Sequence, residues 1–268
     1  MSLPPLEKRL LLQHVLGISA EEYIKHSPIV LKPSEQQMLD TFITRREHGE
    51  PIAKIIGSKS FWKDEFLTNK HTLDPRPDSE WLIEALLDLY CDRDVPYQIL
   101  DCGTGTGCLI LSILREFPNA YGTAIDQSSQ ALHIAQDNAT RLNLINRVEF
   151  HHHDWNLGWT IKPDMLYDII ISNPPYIPTD DINQLMDDVK IYDPRAALDG
   201  GNTGLDAYKQ LFTICHTILK PEGRFVCEIG RGQEDDVEHI ARQHGFHFER
   251  HWRDLSGIIR ILAFTATN

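Results

Sequence analysis

The chain has 268 residues, 41% hydrophobic and 24% charged, which suits one or two soluble globular domains. Its five cysteines (Cys91, Cys102, Cys108, Cys215, Cys227) are odd in number and form no Cys-x-x-Cys pair; that excludes a disulfide scaffold and a cysteine zinc site, and it fits the cytoplasm. The net charge of −13 is uneven: residues 1–73 hold 10 basic and 9 acidic side chains, so residues 74–268 hold the other 16 and 30, net −14, which argues against duplex nucleic acid as a partner while leaving a local basic groove open.

No apolar run approaches the ~18 residues of a membrane span, so no membrane partner is expected. A charged, helix-like stretch follows the first residues where a signal peptide would carry its apolar core. Leu6, Leu10, Leu11 and Val15 recur at helical spacing, and Gly17 stops the segment. Ser19-Ala20-Glu21-Glu22 and Ser34-Glu35-Gln36-Gln37 both match the capping box that opens a helix. Met38, Leu39, Phe42 and Ile43 then form one apolar stripe, closed by Gly49. Gly57 to Asn69, with Phe61-Trp62 and Phe66-Leu67, predicts a short hairpin. Asp74-Pro75-Arg76-Pro77-Asp78 interrupts regular structure, and the domain boundary is placed there, between residues 1–73 and 74–268.

Beyond Asp78 the pattern alternates. Helices are predicted around Leu82, Leu86 and Leu89, and over 109–117, 129–142, 207–219 and 234–244. Strands are predicted over 98–100, 120–125, 148–150, 167–171, 224–229, 246–250 and 258–264. Alternating units of this kind predict a seven-stranded, mostly parallel, doubly wound sheet. The last two strands lack a helix between them and should pair antiparallel.

Two segments carry chemistry. The first is Asp101-Cys102-Gly103-Thr104-Gly105-Thr106-Gly107, where a strand enters a glycine-rich turn. Glycines let a ligand approach the main chain closely. The spacing lacks the extra residue of the dinucleotide fingerprint and the Lys-Ser/Thr pair of a phosphate loop. Asp126 closes the next strand, where a carboxylate can accept from both ribose hydroxyls or cap the following helix. S-adenosyl-L-methionine fits this set better than NAD.

The second segment is Asn173-Pro174-Pro175-Tyr176, at the end of the apolar strand Asp168–Ser172. Open α/β sheets place their ligands at such strand ends. The Asn173 side-chain oxygen and a nearby backbone carbonyl can accept both hydrogens of a planar NH2 group. Holding both N–H bonds biases the nitrogen toward pyramidal geometry and aims its lone pair at a methyl donor. The two prolines stiffen the turn, and Tyr176 offers a face for a planar group. An amide and an adenine amine both suit this logic.

With these residues in view, the chain resembles the HemK/PrmC-type release factor glutamine methyltransferases. Gly49-Glu50-Pro51 with Ile55-Ile56-Gly57, Pro75-Arg76-Pro77-Asp78-Ser79-Glu80, the glycine loop, Asn173 to Ile177, Tyr192 to Gly201, and Glu228-Ile229-Gly230 with Gln233 are each similar to a family segment. Cys102, Asp74 and Ser79 depart from it, and Asp74 puts local packing in doubt. The resemblance implies a Rossmann-like class I methyltransferase sheet behind a small N-terminal helical domain that docks the protein substrate. It implies methylation of the glutamine in the Gly-Gly-Gln motif of peptide chain release factors, in support of translation termination. Gly103, Thr104, Gly105, Thr106 and Gly107 would cradle the cofactor, with Asp126 on its ribose and Trp155 by its adenine. Asn173, Pro174, Pro175 and Tyr176 would hold the glutamine amide, Asn173 reaching the cofactor as well. An adenine-amino methyltransferase and a non-catalytic binding module remain as alternatives. His151-His152-His153 resembles a metal tract, but consecutive strand residues face opposite ways, and no metal is expected.

Overall fold

The computed structural model describes residues 3–25, 28–162 and 164–267. Helix α1 (Pro5–Leu16) ends at Gly17, whose φ of 63° is the left-handed turn that a side chain would strain. Its packed side runs through Leu11, Leu12 and Val15, while Leu6 and Leu10 stay exposed, because only that side meets α3. Helix α2 (Ala20–Lys25) opens with the expected capping box: Ser19 N–H donates to Glu22 Oε2 at 2.8 Å, and Glu22 N–H donates to Ser19 Oγ at 3.1 Å. The second expected box is shifted. Helix α3 (Pro33–Glu47) places Pro33 in its first turn, so Ser34 is already helical. Lys32 N–H instead donates to Glu35 Oε2 at 2.8 Å. In the predicted stripe Leu39 is buried, but Met38 is about half exposed at 49%.

The short helix α4 (Ile52–Ile56) was not legible as a period, because five residues make little more than one turn. It buries Ala53 and Ile55, and Ile55 joins Leu11 and Leu39 in a small core of their own. The hairpin β1 (Ser58–Phe61) and β2 (Asp64–Leu67) follows. Phe61 and Phe66 are fully buried in a different core, beside Leu82, Leu86 and Ile110. Asn138 secures this hairpin, accepting from Leu67 N–H and donating to its carbonyl.

The body comprises α5 (Glu80–Leu89), β3 (Gln98–Cys102), α6 (Cys108–Glu116), β4 (Tyr121–Asp126), α7 (Ser129–Arg141), β5 (Val148–His152), β6 (Tyr167–Ser172), α8 (Asp187–Tyr192), α9 (Asp206–Ile218), β7 (Leu219–Glu228), α10 (Glu234–Gln243), β8 (Phe246–Arg253) and β9 (Ile259–Ala266). The seven-stranded sheet runs in the order β5-β4-β3-β6-β7-β9-β8. Strands β3 to β7 pair parallel, and β9 lies antiparallel between β7 and β8. Two cores line its faces. One holds Leu82, Ile110, Leu114, Ile169 and Ile171; the other holds Leu100, Ile170, Phe212, Phe225 and Phe264. The chain reverses its direction of travel across the sheet between β3 and β6, where Cys102 pairs with Ser172. A crevice opens at such a reversal, beyond the carboxyl ends of the strands.

Asp74, the acid that departs from the resembled segment, is only 4% exposed and is not misfitted. Lys54 Nζ lies 2.8 Å from Asp74 Oδ1 and 3.3 Å from Asp193 Oδ1, and Arg76 Nη2 lies 2.6 Å from Asp193 Oδ2. Burial raises the Asp193 carboxyl, and Lys54 and Arg76 act against that. This cluster joins α4, the linker before α5 and the segment after α8.

Candidate active site

The carboxyl ends of β3 and β4 build one side of a cleft of about 1060 Å³. Gly103 (φ 79°), Gly105 (φ 56°) and Gly107 (φ 78°) all take left-handed conformations, which explains three glycines in five residues. A Cβ on Gly103 would meet the Trp155 ring at 3.2 Å, so the indole packs directly on the main chain there, whereas at Gly105 nothing lies within 4 Å of the same notional atom and the backbone is open. Gly107 has Ala135 Cβ at 3.2 Å from the same notional atom, which lets α6 start hard against α7. The threonines are turned inward. Thr104 Oγ1 donates to Asp101 Oδ2 at 2.7 Å, and Thr106 Oγ1 accepts from Cys108 N–H at 3.3 Å. Both line the cleft with hydroxyls already engaged. Burial pushes the Asp101 carboxyl up to about 7, against the Thr104 bond that lowers it.

Asp126 braces the loop: its Oδ2 accepts from Gly105 N–H at 2.9 Å and its Oδ1 from Ser128 N–H at 2.8 Å. Burial raises its carboxyl, and these two amides pull the other way. The capping of α7 falls to Ser128, whose Oγ accepts from Ala131 N–H at 3.2 Å. Asp126 is thereby available at the cleft wall, with Trp155 and Asn173 elsewhere on the same lining. An open glycine backbone, an indole and a carboxylate fit a nucleoside-bearing ligand.

The loop after β6 supplies the other side. Asn173 lines this cleft and also a second one of about 800 Å³ that contains Tyr176, Ile177, Glu228 and Arg260. Asn173 Nδ2 donates to Ser79 Oγ at 2.9 Å, and Ser79 Oγ donates to Glu228 Oε2 at 2.5 Å. Tyr176 OH donates to Glu228 Oε1 at 3.2 Å. Glu228 is 1% exposed, and burial pushes its carboxyl up to about 7 against the Ser79 and Tyr176 bonds. Burial and the neighbouring Glu228 both push the Tyr176 phenol up.

The loop's shape is enforced from behind. Ile177 N–H donates to Leu198 O at 3.0 Å, Gly200 N–H to Ile177 O at 2.9 Å, and Thr179 N–H to Gly201 O at 2.9 Å. A Cβ on Gly200 would sit 2.8 Å from Pro175 O and 2.9 Å from Tyr176 Cα, so only glycine lets this segment close. Gln233 Nε2 donates to the Tyr176 carbonyl at 3.0 Å, while its Oε1 accepts from Gly230 N–H at 2.9 Å.

Gly103, Thr104, Gly105, Thr106, Asp126, Trp155, Asn173 and Pro175 thus share one cleft, and Tyr176 joins Asn173 in the second. Pro174 is buried at the loop's hinge and Gly107 at the helix start, neither on a cleft wall. Sequence reasoning named Ser79 and Glu228 only as parts of similar segments. Their part in the site depends on contacts 94 and 149 positions apart, and no local spacing carries that. Of the three consecutive histidines, His152 bonds the Gln127 carbonyl and His153 packs edge-on to Trp159.

A model of the methyltransferase domain matches residues 94–252, and one of the PrmC N-terminal domain matches residues 2–57. The chain is 38% identical over 259 residues to a release factor glutamine methyltransferase of Caulobacter vibrioides, covering 97% of this chain and 88% of that protein. It is 40% identical over 259 residues to one of Rhodospirillum rubrum, covering 97% and 78%. A methyltransferase structure from Pyrococcus furiosus superposes with a TM-score of 0.56 at 18% identity, covering 84% of this chain and 98% of that one, a likeness of fold alone.

Proposed function

The chain belongs to the release factor glutamine methyltransferases, and we propose that Asn173 and a carbonyl of the Pro174-Pro175 pair hold the glutamine amide while the glycine loop, Asp126 and Trp155 hold the methyl donor. The enzyme methylates a glutamine side-chain amide of release factors with S-adenosylmethionine. When bound, that cofactor supplies a methyl carbon on a sulfonium, with a neutral thioether as the leaving group. Asp126 accepts from the ribose hydroxyls with lone pairs beyond those given to Gly105 and Ser128. Trp155 packs by the adenine, above Gly103.

An amide nitrogen is a poor nucleophile because its lone pair is delocalised into the carbonyl. Asn173 Oδ1 takes one N–H and a carbonyl of the Pro174-Pro175 pair takes the other, since the Tyr176 carbonyl is engaged by Gln233. Tyr176, tied at its hydroxyl to Glu228, covers the amide plane. The main contribution is alignment of the nitrogen with the methyl carbon. The observation that carries this reading is the 2.9 Å bond from Asn173 Nδ2 to Ser79, which commits the donor end of the amide and leaves its oxygen for substrate.

Asn173→Ala should lower single-turnover methyl transfer to a release factor by about 10²–10³, the effect of losing one preorganised hydrogen-bonding group. Affinity for S-adenosylhomocysteine should fall much less. Asn173→Asp keeps an acceptor and should stay above the alanine variant. A rate for Asn173→Ala within about threefold of wild type would refute the assignment, being under ~1 kcal/mol of transition-state stabilisation.

The finer substrate is the glutamine of a Gly-Gly-Gln motif, and nucleic acid is not a direct partner, on the net −14 of residues 74–268 against 16 basic side chains. No helix among the described residues is long and apolar enough to cross a membrane, and the five cysteines are free, which supports a cytoplasmic setting. Residues 1–73 dock the protein substrate, with Leu6 and Met38 exposed at 57% and 49% on α1 and α3. Replacing both with serine should raise KM for intact release factor several-fold and leave cofactor affinity unchanged, as expected for apolar anchors of an interface. An unchanged kcat/KM would remove this role.

A further inference from the structure

We propose that Ser79 and Glu228 are positioning residues that decide which end of the Asn173 amide faces the substrate, an inference that rests on the assignment of Asn173 above. An asparagine amide rotated by half a turn occupies the same space but presents NH2 in place of oxygen. Facing a glutamine NH2, that rotamer offers donor against donor. Nothing in the shape of the loop distinguishes the two; the hydrogen-bond partner does.

Ser79 supplies that distinction. Its hydroxyl hydrogen is given to Glu228 Oε2 at 2.5 Å, so toward Asn173 it shows only lone pairs. Asn173 must then answer with Nδ2–H, at 2.9 Å. The direction of the chain follows from the charge on Glu228, because an ionised carboxylate only accepts. Once protonated, Glu228 can donate to Ser79. The freed serine hydroxyl can then donate to Asn173 Oδ1, and the flipped amide becomes competitive.

The surroundings hold Glu228 near this balance. Burial pushes its carboxyl up to about 7, and Asp78 in the linker acts in the same direction. Arg260 on β9 acts against it, while being itself committed to Asp78 at 3.0 Å and Asp254 at 2.9 Å. The Tyr176 phenol donates to Glu228 Oε1, and Tyr208 OH on α9 donates to the Glu228 carbonyl at 3.0 Å. Burial raises the thiols of Cys108 on α6 and Cys227 on β7, which keeps them neutral. Among the described residues no basic group lies within ion-pair distance of Glu228. A fully buried carboxylate so placed is costly for folding alone, and both of its oxygens serve the walls of the site.

The test is the single-turnover rate of methyl transfer to a release factor at saturating cofactor, from pH 5.5 to 9. Ser79→Ala should lose about tenfold or more in rate with KM for release factor and cofactor affinity unchanged, and Ser79→Thr, which keeps the hydroxyl, should restore most of it. The wild-type rate should fall on the acid side of about pH 7, whereas Glu228→Gln, which does not titrate, should lose that acid limb. If Ser79→Ala keeps a near-wild-type rate while Asn173→Ala has lost a hundredfold or so, the relay is wrong and the Asn173 assignment stands. An acid limb that persists in Glu228→Gln overturns the role of Glu228. A near-wild-type Asn173→Ala overturns the assignment beneath both.

Discussion

Lys54→Met would remove the cation from the most buried charge cluster in the fold while leaving the volume of the side chain nearly unchanged. Lys54 is 4% exposed at its side chain, and its Nζ lies 2.8 Å from Asp74 and 3.3 Å from Asp193. The same ammonium donates to the carbonyls of Thr72 at 2.6 Å and Asn69 at 2.7 Å. Removing one partner of a buried ion pair costs about 3–5 kcal/mol, because the opposite charge stays behind undischarged. Arg76 still attends Asp193 at 2.6 Å, which places the expected loss near the low end, about 3 kcal/mol. Against a typical total stability of ~5–15 kcal/mol that is a large fraction. For a chain of this size it lowers Tm by roughly 6–12 °C.

Lys54 lowers the Asp193 carboxyl, so its removal raises that value further. The penalty should therefore be greatest at neutral and alkaline pH and shrink as the pH falls and the orphaned acid takes up a proton. Adding Asp74→Leu should return part of the loss, with a coupling of about 0.5–3 kcal/mol. Urea titration at pH 8 and pH 5 measures both, read as a shift in midpoint at constant slope. A loss below about 1 kcal/mol at pH 8 would show that the cluster is solvated and braces nothing.

Asp126→Ala should weaken S-adenosylhomocysteine binding by roughly 1.5–3 kcal/mol in titration calorimetry, the scale of a charge-assisted hydrogen bond, and an unchanged affinity would remove Asp126 from the ribose. The Glu228 carboxyl is raised in the folded state from 4.5 to about 7, so its favourable contribution to folding is present below the unfolded value and is lost as pH rises through 7. Glu228→Gln should accordingly be more stable than wild type at pH 8, by on the order of 1–3 kcal/mol, with the gap closing near pH 5. A gap that does not change with pH would contradict the placement of Glu228 as a buried, ionised acid.

The alternation of strands and helices after Asp78 was legible because each element carries its own period. The strand ends at Cys102, Asp126 and Ser172 fell within two residues of expectation. Loss of period explains what was not legible. Helix α4 is too short to show one, and Pro33 moved the start of α3 away from the cap-like Ser34. Leu6 and Leu10 match helical spacing as well as Leu11 does, and only the position of α3 decides which is covered.

Within the site the division is the same. The sequence alone determined that a glycine turn needing left-handed backbone ends one strand and that Asn173-Pro174-Pro175-Tyr176 ends another, because those requirements are local to each turn. Tertiary structure decided that the two strands are neighbours, since pairing of Cys102 with Ser172 depends on chain reversal across the sheet. It also decided the roles of Lys54, Ser79 and Glu228. A buried charge or hydroxyl is defined by what faces it, and here the facing groups come from distant elements: Asp74 and Asp193 for the lysine, Asn173 for the serine, and Ser79 with Tyr176 for the glutamate.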